Sequence, residues 1–189
     1  IGGIPYLMKE INAPIYATKL TVGLIKNKLK EHGLVNQVRM VEVKPGDVIK
    51  AGCMSVEFIR VNHSIPDACA LAIHTPAGVI VQTGDFKVDY TPIEGGVIDL
   101  GRFGELGSEG VLALLPDSTN IEMPGSTPSE RTVGESFNKL FQMAGDRRII
   151  IATFSSNIHR IQQIIDYAAK YDKKVSVSGR SMVNVVATA

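Results

Sequence analysis

The hydrophobic pattern in the first half of the chain changes from helical spacing to short extended runs. Residues 4–12 predict a short helix with Pro5 in its first turn, and residues 14–17 predict a strand. Thr18 is a typical cap for the next helix, whose apolar positions recur at helical spacing until Gly33 ends it. Further strands are predicted at residues 38–43, 48–49, 53–61, 70–75 and 79–83, with a hairpin turn at 76–78. Strands this closely spaced along the chain favour antiparallel pairing.

The second half predicts an arrangement in which strands and helices alternate. A fully apolar strand at residues 111–115 is followed by a Pro-, Gly- and Ser-rich stretch at 122–130, which is the best candidate for a linker. Ser129 or Thr132 can cap the helix that follows. The remaining predicted elements are a short helix at 100–106, a strand at 149–153, a helix at 158–171 and a strand at 174–178. The last three form a β-α-β unit, which is expected to be parallel and right-handed.

Composition narrows the classes of protein without naming a function. With 189 residues, 44% of them hydrophobic, the chain can form one packed domain, or one domain and part of another. A net charge of +1 gives no general attraction to nucleic acid, so any site for a polyanion has to be local. The two cysteines, Cys53 and Cys69, lack zinc-knuckle spacing and favour a reduced, cytoplasmic protein.

The chain shows no sign of a membrane segment or a secretion signal. No run of about 18 apolar residues predicts a membrane span, and the start of the chain lacks a signal-peptide pattern. The first residue is not methionine, which indicates a segment of a longer protein.

Two polar residues stand at the ends of apolar strands. His63 follows the strand at 53–61, and Asp85 follows the strand at 79–83. A strand end is a stiff support, and side chains in the loops beyond it can converge on an ion. An imidazole and a carboxylate together suit zinc or manganese better than calcium. From the residues alone, an imidazole bonded to the backbone and a turn-forming aspartate explain the same pattern.

Four motifs, in order along the chain, carry a resemblance to a known family. They are H-S-I-P-D-A from His63, T-G-D-F-K-x-D from Thr83, L-x-D-S-T-N from Leu115 and A-T-F-S-S-N-I-H-R-I-Q-Q from Ala152. Together they closely resemble ribonuclease J, a branch of the β-CASP group within the metallo-β-lactamase superfamily. The resemblance implies an α/β fold: a partial metallo-β-lactamase-like αββα sandwich over residues 1–125, followed by the start of a parallel β-CASP domain over 126–189. It also implies that the family's His-x-His-x-Asp-His motif and its later histidine motifs lie outside this chain.

The resemblance carries over roles for three residues near the strand ends. It implies that His63 binds one of two divalent metal ions and that Asp85 bridges both. Zinc is favoured, with manganese or magnesium as alternatives. Asp117 matches an acidic family motif that orients a histidine or assists proton transfer near the metals. An ordinary turn completed by Ser118 and Thr119 is the other interpretation of Asp117.

The residues at the start of the helix at 158–171 are candidates for binding an RNA phosphate. A helix start exposes backbone N–H groups and favours an anion. The implied phosphate-binding set is Ser155, Ser156, Asn157, Ile158 and His159, with Arg160 nearby and a weaker contact from residues 179–181. Ordinary N-capping needs only one of these polar residues, so it stays open as the alternative.

The function implied by the resemblance is a metal-dependent ribonuclease that hydrolyses RNA phosphodiester bonds. Its 5′-to-3′ exonuclease and endonuclease activities would serve RNA maturation and decay in the cytoplasm. The implied partners are single-stranded RNA, RNA-decay or RNA-processing proteins and, in the full-length protein, further copies of itself, with no membrane.

An incomplete site limits what this chain alone can do. His63 and Asp85 are too few ligands for a dinuclear centre, so we expect the chain by itself to be inactive. The alternative is a non-catalytic RNA-binding or interaction fragment. A small-molecule hydrolase of the same superfamily is disfavoured by the β-CASP-like block from about residue 126. An incomplete sandwich also predicts exposed apolar surface and self-association.

Overall fold

The computed structural model describes all 189 residues, and it contains helices and strands in mixed order. The helices are α1 (Ile4–Glu10), α2 (Lys19–Glu31), α3 (Leu100–Glu109), α4 (Glu130–Ala144), α5 (Ile158–Lys170) and α6 (Arg180–Val186). The strands are β1 (Ile15–Thr18), β2 (Met40–Val43), β3 (Val48–Ala51), β4 (Met54–Arg60), β5 (Cys69–Thr75), β6 (Gly78–Gln82) and β7 (Val111–Leu115). The predicted α/β class is confirmed, and every element predicted up to residue 115 is present. Among the helices, none is both long enough and apolar enough for a membrane span.

The larger sheet has five strands in the order β3-β4-β5-β6-β7. Its first four strands pair antiparallel, as their close spacing predicts, and Thr75 lies opposite Gly78 at the β5–β6 hairpin. β7 lies parallel to β6, with Gln82 opposite Leu115, because α3 carries the chain back along the sheet between them. β1 and β2 form a separate parallel pair. Since β4 and β6 are both antiparallel to β5, and β7 is parallel to β6, the carboxyl-terminal ends of β4, β6 and β7 lie at the same end of the sheet.

Three apolar clusters hold these elements together. The largest lies between the five-stranded sheet and α3, where Leu106 is almost fully buried. A second surrounds α2 and is centred on the buried Leu29. The third joins α4 to α5 through Phe137 and Phe141. Each cluster buries one face of a helix, as the apolar spacing predicts, and together they fix the helices that border the candidate site.

The β-α-β unit predicted for residues 149–178 is present only as a helix between two extended segments. Residues 149–153 and 174–178 form no strand, and the predicted parallel pairing is not made, because neither segment has a neighbour that accepts its backbone hydrogen bonds. The side chains of the first segment still alternate. Ile149 and Ile151 pack against the cluster between α4 and α5, while Ile150 is exposed. The alternation therefore predicted the direction of the side chains, but not the formation of a sheet.

β7 forms one edge of the five-stranded sheet, and its apolar side chains are exposed. Leu112, Leu114 and Leu115 are 60%, 59% and 54% exposed. An apolar edge strand with unpaired backbone groups favours pairing with another chain. This surface agrees with the exposed apolar area expected of an incomplete sandwich.

Replacing Leu114 by lysine is expected to reduce self-association and binding of an apolar fluorescent dye, because a charge on an edge strand opposes strand pairing. Sedimentation velocity and dye fluorescence measure the two effects. Val48→Lys on β3, the opposite edge, is the matched control, because Val48 is similarly exposed but β3 already carries the charged Lys50, whereas β7 is entirely apolar. Both substitutions should change the free energy of unfolding by less than about 0.5 kcal/mol. An unsubstituted chain that is monomeric and binds no dye would contradict the prediction.

Candidate functional site

Three polar residues follow the three strands whose carboxyl-terminal ends lie at the same end of the sheet. His63 comes after β4, Asp85 after β6 and Asp117 after β7. Nε2 of His63 and Oδ2 of Asp85 are 3.7 Å apart, and we call these two candidate metal ligands the ligand pair. The structure thus brings together the two residues that the sequence placed at strand ends.

Asn62 fixes the end of β4, although the sequence motifs did not single it out. Its side chain is buried, its amide nitrogen donates to the carbonyl oxygen of Gly96 (2.8 Å), and its amide oxygen accepts from the backbone N–H of Ile98 (2.9 Å). Its own carbonyl oxygen accepts from the backbone N–H of Lys87 (2.8 Å), in the loop that carries Asp85. The two loops of the ligand pair are therefore bonded to each other.

Asp117 is held by the neighbouring strand and by its own turn. Its backbone N–H donates to Oγ1 of Thr83 (2.9 Å), and its Oδ1 accepts from the hydroxyl (2.6 Å) and the backbone N–H (3.0 Å) of Thr119. The hydrogen bonds from Thr119, with smaller effects of the Phe86 backbone and the His63 imidazole, lower the pKa of the Asp117 carboxyl group. The ordinary turn is thus formed, and the carboxylate also lies within the field of His63.

Replacing Thr119 by valine is expected to raise the pKa of Asp117, because the hydroxyl that stabilises the ionised carboxylate is lost. The backbone bond from residue 119 remains, so the rise should be partial. Carboxyl-carbon NMR titration measures it. Ser118→Ala is the control, because the Ser118 hydroxyl donates to the carbonyl oxygen of Pro116 and not to Asp117. Equal titration curves for the two variants would contradict the role of Thr119.

A cleft of about 290 Å³ opens beside the ligand pair. The start of α2 lines the cleft, and there Oδ2 of Asp67 accepts from the backbone N–H of Leu20 (3.2 Å). Thr18 occupies the predicted N-cap position, but its hydroxyl donates to Thr21 (3.1 Å) and makes no capping bond. Asp67, 47 positions away from Leu20, supplies the missing acceptor. The H-S-I-P-D segment therefore holds α2 as well as presenting His63.

The donors in the cleft fit part of a metal site. The distance between the imidazole nitrogen and the carboxylate oxygen of the ligand pair is close to the distance expected between two ligands of one zinc ion, because each zinc–ligand bond is about 2 Å long. The structure contains no group of three His, Cys, Asp or Glu side chains placed to hold one ion. Cys69 also lines the cleft, but burial raises the pKa of its thiol to about 11, so the thiol is neutral at pH 7. This chain would thus supply two of the three or four protein ligands that zinc usually takes.

The start of α5 differs from the helix start with exposed backbone N–H groups that the sequence predicted. The backbone N–H groups of Asn157, Ile158 and His159 all donate to carbonyl oxygens of the protein. The side chain of Asn157 is the N-cap of α5 and accepts from the backbone N–H of Arg160 (3.0 Å). Ile158 and His159 are buried. The capping alternative therefore describes Asn157, and of the five predicted residues only Ser155 and Ser156 keep backbone N–H groups that are not hydrogen-bonded.

The hydroxyl groups of the same segment remain accessible. Oγ of Ser155 lies 2.8 Å from Oγ of Ser181 at the start of α6, and Ser156 is exposed. These contacts join residues 155–157 to residues 179–181, for which the sequence predicted a weaker phosphate contact. Phosphate binding stays a prediction, and on this geometry it rests on the hydroxyls of Ser155, Ser156 and Ser181 and on the backbone N–H groups of Ser155 and Ser156.

The ligand-pair loop and the start of α5 are in direct contact. The backbone N–H of His159 donates to the carbonyl oxygen of Ser64 (3.3 Å), and the Ser64 hydroxyl donates to the carbonyl oxygen of Ser156 (3.5 Å). Burial lowers the pKa of the His159 imidazole, although the nearby backbone of Ile65 opposes the shift. His159 therefore lies beneath the loop as a neutral side chain and does not face solvent.

Comparison with known proteins agrees with the motifs. Residues 146–189 match the family described as ribonuclease J, beta-CASP domain. The chain is 46% identical to ribonuclease J of Synechocystis sp., over 100% of this chain and 30% of that protein. It is 47% identical to ribonuclease J 1 of Streptococcus pyogenes serotype M3, over 98% and 33%. It is 44% identical to ribonuclease J of Thermus thermophilus, over 97% and 33%. The predicted resemblance to ribonuclease J is confirmed, and the chain spans at most about a third of the length of these curated relatives.

A solved structure shares the fold. The crystal structure of a protein of unknown function from Enterococcus faecalis V583 superposes with a TM-score of 0.61. The alignment covers 89% of this chain and 47% of that one, at 22% identity. This likeness concerns the arrangement of helices and strands alone.

Proposed function

Because the chain matches ribonuclease J proteins along nearly its whole length, we propose that it is part of a metal-dependent ribonuclease that hydrolyses RNA phosphodiester bonds. The observation that carries this proposal is the convergence of the ligand pair and Asp117 at one edge of the sheet, next to the start of α5. Metal ligands, an ionised acid and hydroxyl donors for phosphate are the groups that such a reaction uses.

The ligand pair would hold the metal in this proposal. His63 would contribute its imidazole, and Asp85 could share its two carboxylate oxygens between two ions. Zinc is the first candidate because this donor set suits it, with manganese or magnesium as alternatives. Metal ions held by these residues would supply a water of lowered pKa and would offset charge on the phosphate. Asp117, which is ionised at neutral pH, would accept a hydrogen bond or a proton beside the ligand pair.

Single-stranded RNA would lie between the ligand-pair loop and the start of α5. The hydroxyls of Ser155, Ser156 and Ser181 can donate to phosphate oxygens, a contact that carries no base information. Affinity should therefore depend strongly on salt and weakly on sequence. The proposal includes 5′-to-3′ exonuclease and endonuclease activity in cytoplasmic RNA maturation and decay. It also includes assembly of the full-length protein into homo-oligomers.

A non-catalytic RNA-binding or interaction fragment is the second candidate for this chain by itself. The observation that favours it is the absence of a third ligand beside the ligand pair. Under this reading, the 189-residue chain binds RNA or protein but hydrolyses nothing.

The test combines metal content after dialysis with cleavage of a 5′-monophosphorylated RNA. Both are measured on this chain and on the protein at the full length of its relatives. We expect bound metal and chelator-sensitive cleavage only in the longer protein. If the longer protein holds no metal and cleaves no RNA, the nuclease proposal is wrong and the second candidate remains. Cleavage by the 189-residue chain would instead show that two ligands suffice.

A further inference from the structure

A row of alternating charges lies between the ligand pair and the start of α5. Nη2 of Arg160 donates to Oε1 of Glu130 at 2.8 Å, and Nζ of Lys87 lies 3.9 Å from the same oxygen. Nζ of Lys87 is also 3.4 Å from Oδ2 of Asp89. We call these four residues the charge bridge. Of the four side chains, only that of Arg160 enters the roles above, as a neighbour of the residues implied to bind phosphate.

The charge bridge is largely shielded from water. The side chains of Asp89, Glu130 and Lys87 are 2%, 14% and 17% exposed. Burial tends to raise the pKa of Asp89, but hydrogen bonds from Thr91 and Ser129 and the Lys87 ammonium bring that pKa below its usual range. Charges in such surroundings interact more strongly than charges in water, so each one holds its partners in place.

The charge bridge joins the backbone segments that carry the two sites. Lys87 follows Asp85 by two residues, and its backbone N–H is bonded to the end of β4, just before His63. Arg160 lies in the first turn of α5, where the N-cap side chain accepts from its backbone N–H. Glu130 is the first residue of α4 and contacts both cations. One carboxylate therefore connects the loop of the ligand pair to the start of α5.

Stability alone does not account for this arrangement. Buried ion pairs add little net stability, because removing the charges from water costs about as much as the pairing returns. Oε2 of Glu130 and Nε of Arg160 are buried without a hydrogen-bond partner, so the pair is not saturated. What such a pair supplies is a defined distance between the segments that carry it.

We propose that Glu130 is a positioning residue that couples metal binding at the ligand pair to RNA binding at the start of α5. The inference rests on the proposed function. With the Glu130 side chain contacting both cations, the loop after β6 and the first turn of α5 keep one relative position. When the charge is removed, the Lys87 and Arg160 cations repel each other and the two segments separate. RNA phosphates bound at α5 then lose their alignment with the ligand pair.

The test measures RNA affinity with and without metal in the full-length protein. The probe is a fluorescent, 5′-monophosphorylated RNA with phosphorothioate linkages that resist cleavage, and binding is followed by anisotropy in Mn²⁺ or in chelator. We expect the unsubstituted protein to bind about tenfold more tightly with Mn²⁺, and Glu130→Gln to lower that ratio to about one. A purely structural role would lower the melting temperature but leave the ratio unchanged.

Two further variants make the result decisive. Glu135→Gln, at an exposed glutamate on the same helix, should keep the full ratio. Arg160→Gln removes another partner of the same carboxylate and should lower the ratio as Glu130→Gln does, which serves if Glu130→Gln fails to fold. A ratio near one in the unsubstituted protein, or an unchanged ratio in the folded variants, overturns the coupling and leaves the nuclease proposal intact. Absence of any RNA binding by the unsubstituted protein contradicts the proposed function itself.

Discussion

Replacing Asp85 by asparagine is expected to lower RNA cleavage by the full-length protein by at least about a thousandfold. Asparagine keeps the size of the side chain but loses the negative charge and the second carboxylate oxygen. Oδ2 of Asp85 lies 3.7 Å from Nε2 of His63, so the substitution leaves the imidazole without its partner in the ligand pair. Bound metal, measured by mass spectrometry after dialysis, should fall together with the rate.

The same substitution should not disturb folding. The Asp85 side chain is 76% exposed, so the free energy of unfolding should change by less than about 0.5 kcal/mol. Asp146→Asn, at an exposed aspartate in the turn after α4, is the matched control and should retain full activity. An unchanged rate in the folded Asp85→Asn protein, or a lost rate with undiminished metal content, would contradict the ligand role.

The second large effect is expected for Gly95→Ala, which should destabilise the chain by about 2–5 kcal/mol. Gly95 has a φ of +78°, in the left-handed region that side chains disfavour. A Cβ at this position would lie 2.6 Å from the carbonyl oxygen of Pro66. Because that neighbour is backbone, the loop between His63 and Asp67 would have to move. The substitution should therefore disturb the ligand pair as well as lower stability.

Gly96→Ala is a closely matched control for this prediction. Its Cβ would come no closer than 3.0 Å, to the flexible side chain of Arg60, and its φ lies outside the left-handed region. The expected loss is below about 1 kcal/mol. Urea unfolding compares the two variants, and the imidazole NMR signals of His63 report on the loop. Equal stability of the two variants would contradict the close approach of Gly95 to Pro66.

Local sequence patterns were sufficient to predict the helices and strands of most of the first 115 residues. Apolar alternation on either side of the Pro-Ala-Gly turn predicted the β5–β6 hairpin, and helical spacing predicted α2. The position of His63 and Asp85 just beyond strands also followed from these patterns. Periodicity works here because a residue's face within a helix or strand depends on its near neighbours.

The prediction was incomplete or wrong where a structural feature depends on hydrogen bonds to a segment far away in the chain. Residues 149–153 and 174–178 have strand-like sequences, but a strand forms only when another segment accepts its hydrogen bonds. Likewise, the sequence predicted that the backbone N–H groups at the start of α5 are free to bind an anion. The backbone N–H of His159 instead donates to the carbonyl oxygen of Ser64, far away in the chain.

The sequence by itself determined the order of the elements up to residue 115, the two strand-end metal-ligand candidates and the resemblance to ribonuclease J, because these depend on residue type and spacing. The tertiary structure alone decided the long-range partners. It placed Asp67 at the start of α2 and Glu130 between Lys87 and Arg160. Such contacts depend on how three separately packed clusters meet, and that arrangement is set by shape and burial across the whole chain.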